Sequence, residues 1–385
     1  MLLLLAACAS PFPCPTDQRL DADGVCHDVP KPPGAGDSDD SGTGDSGDTD
    51  TGDPDTGDTD PPVDDGWPTR FVAPYVDATA YPTVRLARIA PDSGVLRYTL
   101  GFVVAASASE CRATWGTYYD LETGPSAWEG GAEYTLYEEL AGLRALGGDV
   151  MVSFGGAANT SLAVACPDAD ALAAEYARVI EALDLTRVDF DIEGAALQDP
   201  ASIDRRSVAV AALQVQAAAA GRPLHVWYTL PVLPTGLTAD GVAVLESAAV
   251  HGVELAGVNV MTMDYGAGAA PEPAGKMGEY GIDAIRAVHV QLGQVWPALD
   301  AVERWSMVGT TPMIGQNDVA GEFFDLEDAE QTLTFAQTNG VGMIGWWSVN
   351  RDHPCAVESE SAQSDCNGTT DVGDWAYAQV FAGYR

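Results

Sequence analysis

Val188-Asp189-Phe190-Asp191-Ile192-Glu193 alternates strictly between large apolar residues and acids. A period of two is the mark of a β-strand, with the three carboxylates on one face and Val188, Phe190 and Ile192 on the other. Such an acidic face costs too much to bury in an ordinary core. Crowded acids also raise one another's pKa, so a Glu among them can keep its proton near neutral pH and act as a general acid. Taken alone, the six residues also suit a solvent-exposed strand end or a calcium site.

Around this strand, from Trp67 onward, apolar strands alternate with amphipathic helices. Strands are expected at Phe71–Val76, Tyr98–Ala105, Asp149–Gly155, Arg187–Glu193, Pro223–Pro231, Val258–Tyr265, Met307–Met313 and Gly342–Val349. Helices are expected at Ala132–Leu146, Asp168–Leu183, Ala201–Ala220, Ala239–His251, Ile282–Val302 and Leu326–Thr338. This order predicts an α/β fold, a (β/α)8 TIM barrel. A doubly wound open sheet is disfavoured, because no Gly-x-Gly-x-x-Gly follows the first strand.

A barrel of this kind carries its chemistry at the C-terminal ends of its strands. There the sequence places Ser153-Phe154-Gly155-Gly156, the three acids, Met261-Thr262-Met263-Asp264-Tyr265 and Trp346-Trp347-Ser348. Glycines at a strand end admit close approach of a ligand, and a Trp offers a flat face to a sugar ring. Singly, each motif reads as a turn, a core aromatic or a capping Asp. Together, at four strand ends, they point to a site.

The set resembles glycoside hydrolase family 18, the chitinases, from about Phe71 to the C-terminus. The family's strand 4 pattern, Asp-Gly-x-Asp-x-Asp-x-Glu, supplies its last three acids as Asp189, Asp191 and Glu193, and its Ser-x-Gly-Gly matches Ser153–Gly156. Val72-Ala73-Pro74-Tyr75-Val76-Asp77, Thr229-Leu230-Pro231-Val232-Leu233-Pro234 and Thr311-Pro312-Met313-Ile314-Gly315 look like bacterial members. The resemblance implies a substrate-assisted, retaining hydrolysis of β-1,4-linked N-acetylglucosamine polymers, with no cofactor and no metal. Glu193 would protonate the scissile oxygen, Asp191 would orient the substrate's acetamide, and Asp189 would share a proton with Asp191 near Ser153. Gly155, Gly156, Met261, Asp264 and Trp347 would line the sugar site, with Trp347 as its floor and Trp346 turned out of the barrel.

Two departures stand out. Thr186-Arg187 replaces the upstream Asp-Gly, a change expected to affect packing. Met263 replaces the Tyr that often binds the acetamide, leaving Tyr265 or Tyr228 to supply that hydroxyl. The strand 4 acids do not separate a chitinase from an endo-β-N-acetylglucosaminidase acting on N-glycans, and peptidoglycan is a third substrate. Family members acting as lectins typically lose the strand 4 Glu, which is intact here. About 28 residues separate strands 7 and 8, room for one helix but not for the small inserted domain of some relatives, so a shallow groove and endo-type cleavage are expected.

Ahead of the barrel at 67–385, the sequence divides into a leader (1–8), a short segment (9–35) and a linker (36–66). Leu5-Ala6-Ala7-Cys8 resembles a bacterial lipobox with Cys8 as the lipidated residue, although the apolar run is short and lacks a basic start. Export is expected, extracellular or at the cell surface, with any membrane contact through that anchor. The other six cysteines suggest disulfides, which proximity pairs as Cys14–Cys26, Cys111–Cys166 and Cys355–Cys366. The first of these would staple a small N-terminal knob. The linker holds twelve Asp and no basic residue among Gly, Thr, Ser and Pro, a self-repelling composition with nothing to bury. Its Gly44-Asp45-Ser46-Gly47 mimics a serine protease loop but lacks flanking strands. Asp21-Ala22-Asp23-Gly24 echoes a calcium loop without the required Glu. The net charge of −39 over 385 residues argues against nucleic acid and anionic membrane partners. A monomer is expected.

Overall fold

The computed structural model describes Gln18–Leu20, Cys26–Asp28 and residues 65–384. The two short N-terminal segments pair with each other as an antiparallel ladder, Leu20 opposite Cys26. Cys8 and Cys14 lie outside the described residues, and with them the lipidation site and the Cys14–Cys26 pairing.

Residues 65–384 form an α/β unit. Its first strand, β1, comes in two pieces, Phe71–Val72 and Tyr75–Asp77. It is followed by β2 (Arg97–Ser107), β3 (Asp149–Gly155), β4 (Arg187–Asp191), β5 (His225–Pro231), β6 (Leu255–Met261), β7 (Val308–Thr311) and β8 (Met343–Ile344). Each pairs in parallel with the next. The first piece of β1 pairs in parallel with β8 and the second with β2, so the hydrogen-bonded path returns on itself. Helices α1 (Leu86–Ser93), α2 (Leu136–Ala145), α3 (Ala169–Ala182), α4 (Pro200–Ala219), α5 (Ala239–Val250), α6 (Met277–Val295) and α7 (Leu326–Asn339) connect successive strands, and α8 (Ala376–Phe381) follows β8.

Two expected helices are shorter than their apolar pattern suggests. Ala132–Thr135 is a strand paired with Ser126–Glu129, and Thr135 then caps α2 in a reciprocal capping box with Glu138. The expected helix Ile282–Val302 stops at Val295, because Pro297 cannot continue it. A separate helix, Ala301–Ser306, starts on an Asp300–Glu303 box. Between β7 and β8 the chain also forms a hairpin, Gly315–Gln316 with Phe323–Phe324, where one helix alone was expected.

Register explains which residues face in. Phe154, Phe190 and Tyr228 sit opposite one another on β3, β4 and β5. Their rings meet one another and Tyr176 of α3 at 4.8–5.8 Å, so this row faces the helices. The neighbouring rows, Ser153–Asp189–Trp227 and Gly155–Asp191–Thr229, face inward. The base of the ring is filled by Trp67, Phe71, Met151, Trp227 and Met343. Gly257 leaves the space for Trp227, since a Cβ there would lie 2.2 Å from the indole. Arg187 closes this end, bonded to Asp65 at 2.8 Å with its guanidinium over the Trp67 and Phe71 rings, the packing role expected of it.

Disulfides Cys111–Cys166 and Cys355–Cys366 are formed, as proximity suggested. The first ties the strand Glu110–Trp115, which pairs with β2, to the segment entering α3. Trp346 faces outward and stacks on Phe381 of α8, with ring centroids 5.3 Å apart.

Candidate active site

Asp189 sits fully buried above the base of the ring. Its Oδ2 accepts from Ser153 Oγ at 2.6 Å and from the Tyr75 hydroxyl at 2.8 Å, and its Oδ1 accepts from Thr229 Oγ1 at 2.7 Å. Thr229 accepts from Asn259 Nδ2, whose Oδ1 accepts from Thr311 Oγ1, both at 3.0 Å. One polar layer therefore links β1, β3, β4, β5, β6 and β7. Burial pushes the Asp189 carboxyl up to about 6, and its three hydroxyl partners hold it from rising further.

One step along the strand, Asp191 is also buried, and its Oδ1 has no hydrogen-bond partner among the described residues. Burial, then Glu193, then Asp189 push its pKa well above the ordinary value. Glu193 lies beyond the ladder, yet its backbone stays extended at φ −142° and ψ 175°, so the alternation persists. Burial lifts its carboxyl from 4.5 to about 7, which keeps an acid proton available in neutral water. The three acids do share a face, and it is the inner one.

Above them opens a cleft of about 410 Å³. Asp191, Glu193, Thr229, Met261, Asp264 and Trp347 line it, together with Tyr75, Phe102, Met263, Met313 and Asp318. Trp347 is half-buried and stacks on Phe102 at 5.7 Å and 19°, making a flat apolar wall opposite the acids' strand. An apolar cleft with a few convergent carboxyl groups suits an uncharged, ring-shaped ligand.

Several expected ligand contacts move. Tyr228 belongs to the row facing the helices, so its hydroxyl cannot reach the cleft. Tyr265 is buried against Tyr280 of α6 at 6.2 Å and does not line the cleft either. Tyr75 is the tyrosine that does. Gly155 and Gly156 act beneath the surface: a Cβ on Gly155, at φ +115°, would sit 2.1 Å from the Asp191 carbonyl oxygen, which accepts from Gly156 N at 3.2 Å. Ser153 is buried under Asp189 and contacts no open space. Thr229, Asn259 and Tyr75 carry a signal in the sequence, a polar side chain in an otherwise apolar strand at inward parity.

No protein-family model matches the chain. It is 41% identical over 322 residues to a probable bifunctional chitinase/lysozyme of Escherichia coli K12, an alignment covering 82% of this chain and 34% of that protein. To Endochitinase 11 of Metarhizium anisopliae it is 42% identical over 295 residues, covering 76% of this chain and 54% of that protein. The chain thus spans between a third and about half of these relatives' length. Its structure matches the catalytic domain of a hyperthermophilic chitinase from Pyrococcus furiosus with a TM-score of 0.70 and 32% identity, covering 82% of this chain and 94% of that one. The chain belongs to glycoside hydrolase family 18. As a family 18 chain it carries the strand 4 acids intact, on one face of the parallel sheet.

Proposed function

We propose that the chain is a chitinase, built as a (β/α)8 barrel, which hydrolyses β-1,4-linked N-acetylglucosamine polymers with retention of anomeric configuration. The observation that carries this reading is the pairing, in one cleft walled by Trp347, of a protonated Glu193 with Asp191, whose Oδ1 lacks a partner among the described residues. Glu193 donates its proton to the oxygen of the scissile bond. The carbonyl oxygen of the substrate's own acetamide attacks the anomeric carbon, forming an oxazolinium ion, the substrate-assisted route of this family. Asp191 accepts the acetamide N–H on its free oxygen and balances the positive charge that develops. Glu193, now ionised, takes a proton from a water that attacks the anomeric carbon from the face the leaving group left, breaking its bond to the acetamide oxygen. Asp189, held by Ser153, Thr229 and Tyr75, fixes the charge beneath Asp191. Tyr75 and Thr229 supply hydroxyls at the cleft where Tyr228 and Tyr265 do not.

The short hairpin between β7 and β8 leaves the groove open at that side, which supports endo-type cleavage. The two disulfides support export, because such bridges persist in oxidising compartments.

The test is hydrolysis of chitin oligosaccharides beside Glu193→Gln, with products resolved by anomer and by length. Cleavage at internal bonds to the β-anomer, lost in the variant, is the expected result. Absence of cleavage with oligosaccharide still bound would turn the reading to another glycan or to a lectin.

A further inference from the structure

Asp264 reaches the cleft from a backbone that a non-glycine residue rarely adopts, at φ +53°. The β6–β7 ladder has already ended there, its last bond running from Thr262 N to the Thr311 carbonyl at 3.0 Å. The next amides have no strand to pair with. Left buried without acceptors, they would destabilise the turn.

We propose that Glu322 is a positioning residue for the reaction proposed above: from the hairpin between β7 and β8 it holds the turn that presents Asp264 to the bound sugar. The inference rests on that reading of the cleft. Glu322 is only 1% exposed. Its Oε2 accepts from Tyr265 N at 3.0 Å and its Oε1 from Gly266 N at 2.7 Å. Asn317, also 1% exposed, accepts from Asp264 N at 3.4 Å and donates from Nδ2 to the Met313 and Gly315 carbonyls at 2.8 and 3.1 Å. Two hairpin side chains therefore take the amides of 264, 265 and 266 in turn. Val319 N closes the contact, donating to Asp264 Oδ1 at 3.0 Å.

The chemistry calls for a carboxylate at 322. Two converging N–H donors require two acceptor oxygens, which Glu has and Gln lacks, and amide-to-carboxylate bonds are the stronger kind. The hairpin is itself firmly seated. Gln316 N donates to the Asn367 carbonyl at 2.8 Å, and the buried Arg351 guanidinium donates to the carbonyls of Ile314 and Gln316 at 2.9 and 2.5 Å. Asn367 follows Cys366 of the Cys355–Cys366 bridge. The position of a cleft carboxylate is thus set by a segment about 55 residues further along the chain.

The test is a double-mutant cycle on chitin hexasaccharide with the full chain, Glu322→Gln and Asp264→Asn singly and together. Each single variant is expected to raise KM about tenfold with kcat within about threefold, and the double variant to be no worse than Asp264→Asn alone. Additive losses, or an unchanged KM in Glu322→Gln, would overturn the proposal. Hydrogen exchange gives an arm that needs no substrate. In Glu322→Gln the Tyr265 and Gly266 amides should exchange at least tenfold faster while those of β4 keep their protection, and unchanged exchange would overturn the proposal too. If the wild-type chain cleaves no chitin, the proposed function falls while the exchange arm still decides the role of Glu322. Should Glu322→Gln fail to fold, Asn317→Ala replaces it in the same cycle, with a smaller effect of the same sign expected.

Discussion

Strand β4 and the turn after β6 deliver acids to the same cleft by different means. On β4, backbone bonds to β3 and β5 fix Asp189 and Asp191, and the extended backbone carries the alternation on to Glu193. Packing of Phe190 against Phe154, Tyr176 and Tyr228 locks the facing direction of all three. After β6 no such ladder remains, and Asp264 depends on acceptors lent by Glu322 and Asn317. The acids whose protonation must be controlled stand on the ladder, as Asp189 and Asp191 do, or on its extended continuation, as Glu193 does. The acid at the cleft wall stands on a turn whose shape can be adjusted without disturbing them.

Changes on the β4 side should be the most damaging. Glu193→Gln removes the proton donor and is expected to lower kcat at least a thousandfold, measured on a chitin oligosaccharide of defined length. Asp191→Asn, which leaves an amide where a charge is needed, should lower kcat about a hundredfold with a smaller change in KM. Wild-type kcat should fall as pH rises through about 7, where Glu193 loses its proton. A profile flat from pH 6 to 9 would exclude Glu193 as the acid. Tyr75→Phe withdraws one of the three donors to Asp189 and should cost about tenfold in kcat, well below the loss at Asp191. A loss equal to that of Asp191→Asn would give the tyrosine as large a share as Asp191.

The smallest expected effect is on stability, and it has the opposite sign. Glu193 titrates at about 7 when folded against 4.5 as the ordinary value, so the folded state binds its proton more tightly. Stability from this group is fully present below pH 4.5, declines as pH rises, and is lost above about 7. Glu193→Gln should therefore melt a few degrees higher than wild type at pH 8 and no higher at pH 4, by calorimetry. No gain at pH 8 would mean that the acid is solvated in the folded chain.

The same contrast explains what could be read from the sequence. Alternation placed all three β4 acids on one face, because a strand's facing rule is local and depends only on parity. The strand order followed from apolar runs of the right length, although β6 begins earlier and ends earlier than its pattern suggested. Tyr228 carries a suitable hydroxyl, but it shares a register row with Phe190, and that row faces the helices. Tyr265 was misplaced because the strand had already ended at Met261 and parity no longer held. Glu322 and Asn317 could not be found at all, since their partners lie more than 50 residues away and no local period links them.

The filled base of the ring has a consequence for how a polymer is handled. With Trp67, Phe71, Met151, Trp227 and Met343 packed across it, the interior is a well with a single mouth. Nothing can be threaded through that base, so whatever enters the cleft also leaves by its mouth. Under the proposed function, a polymer would lie across that opening and would not pass through it.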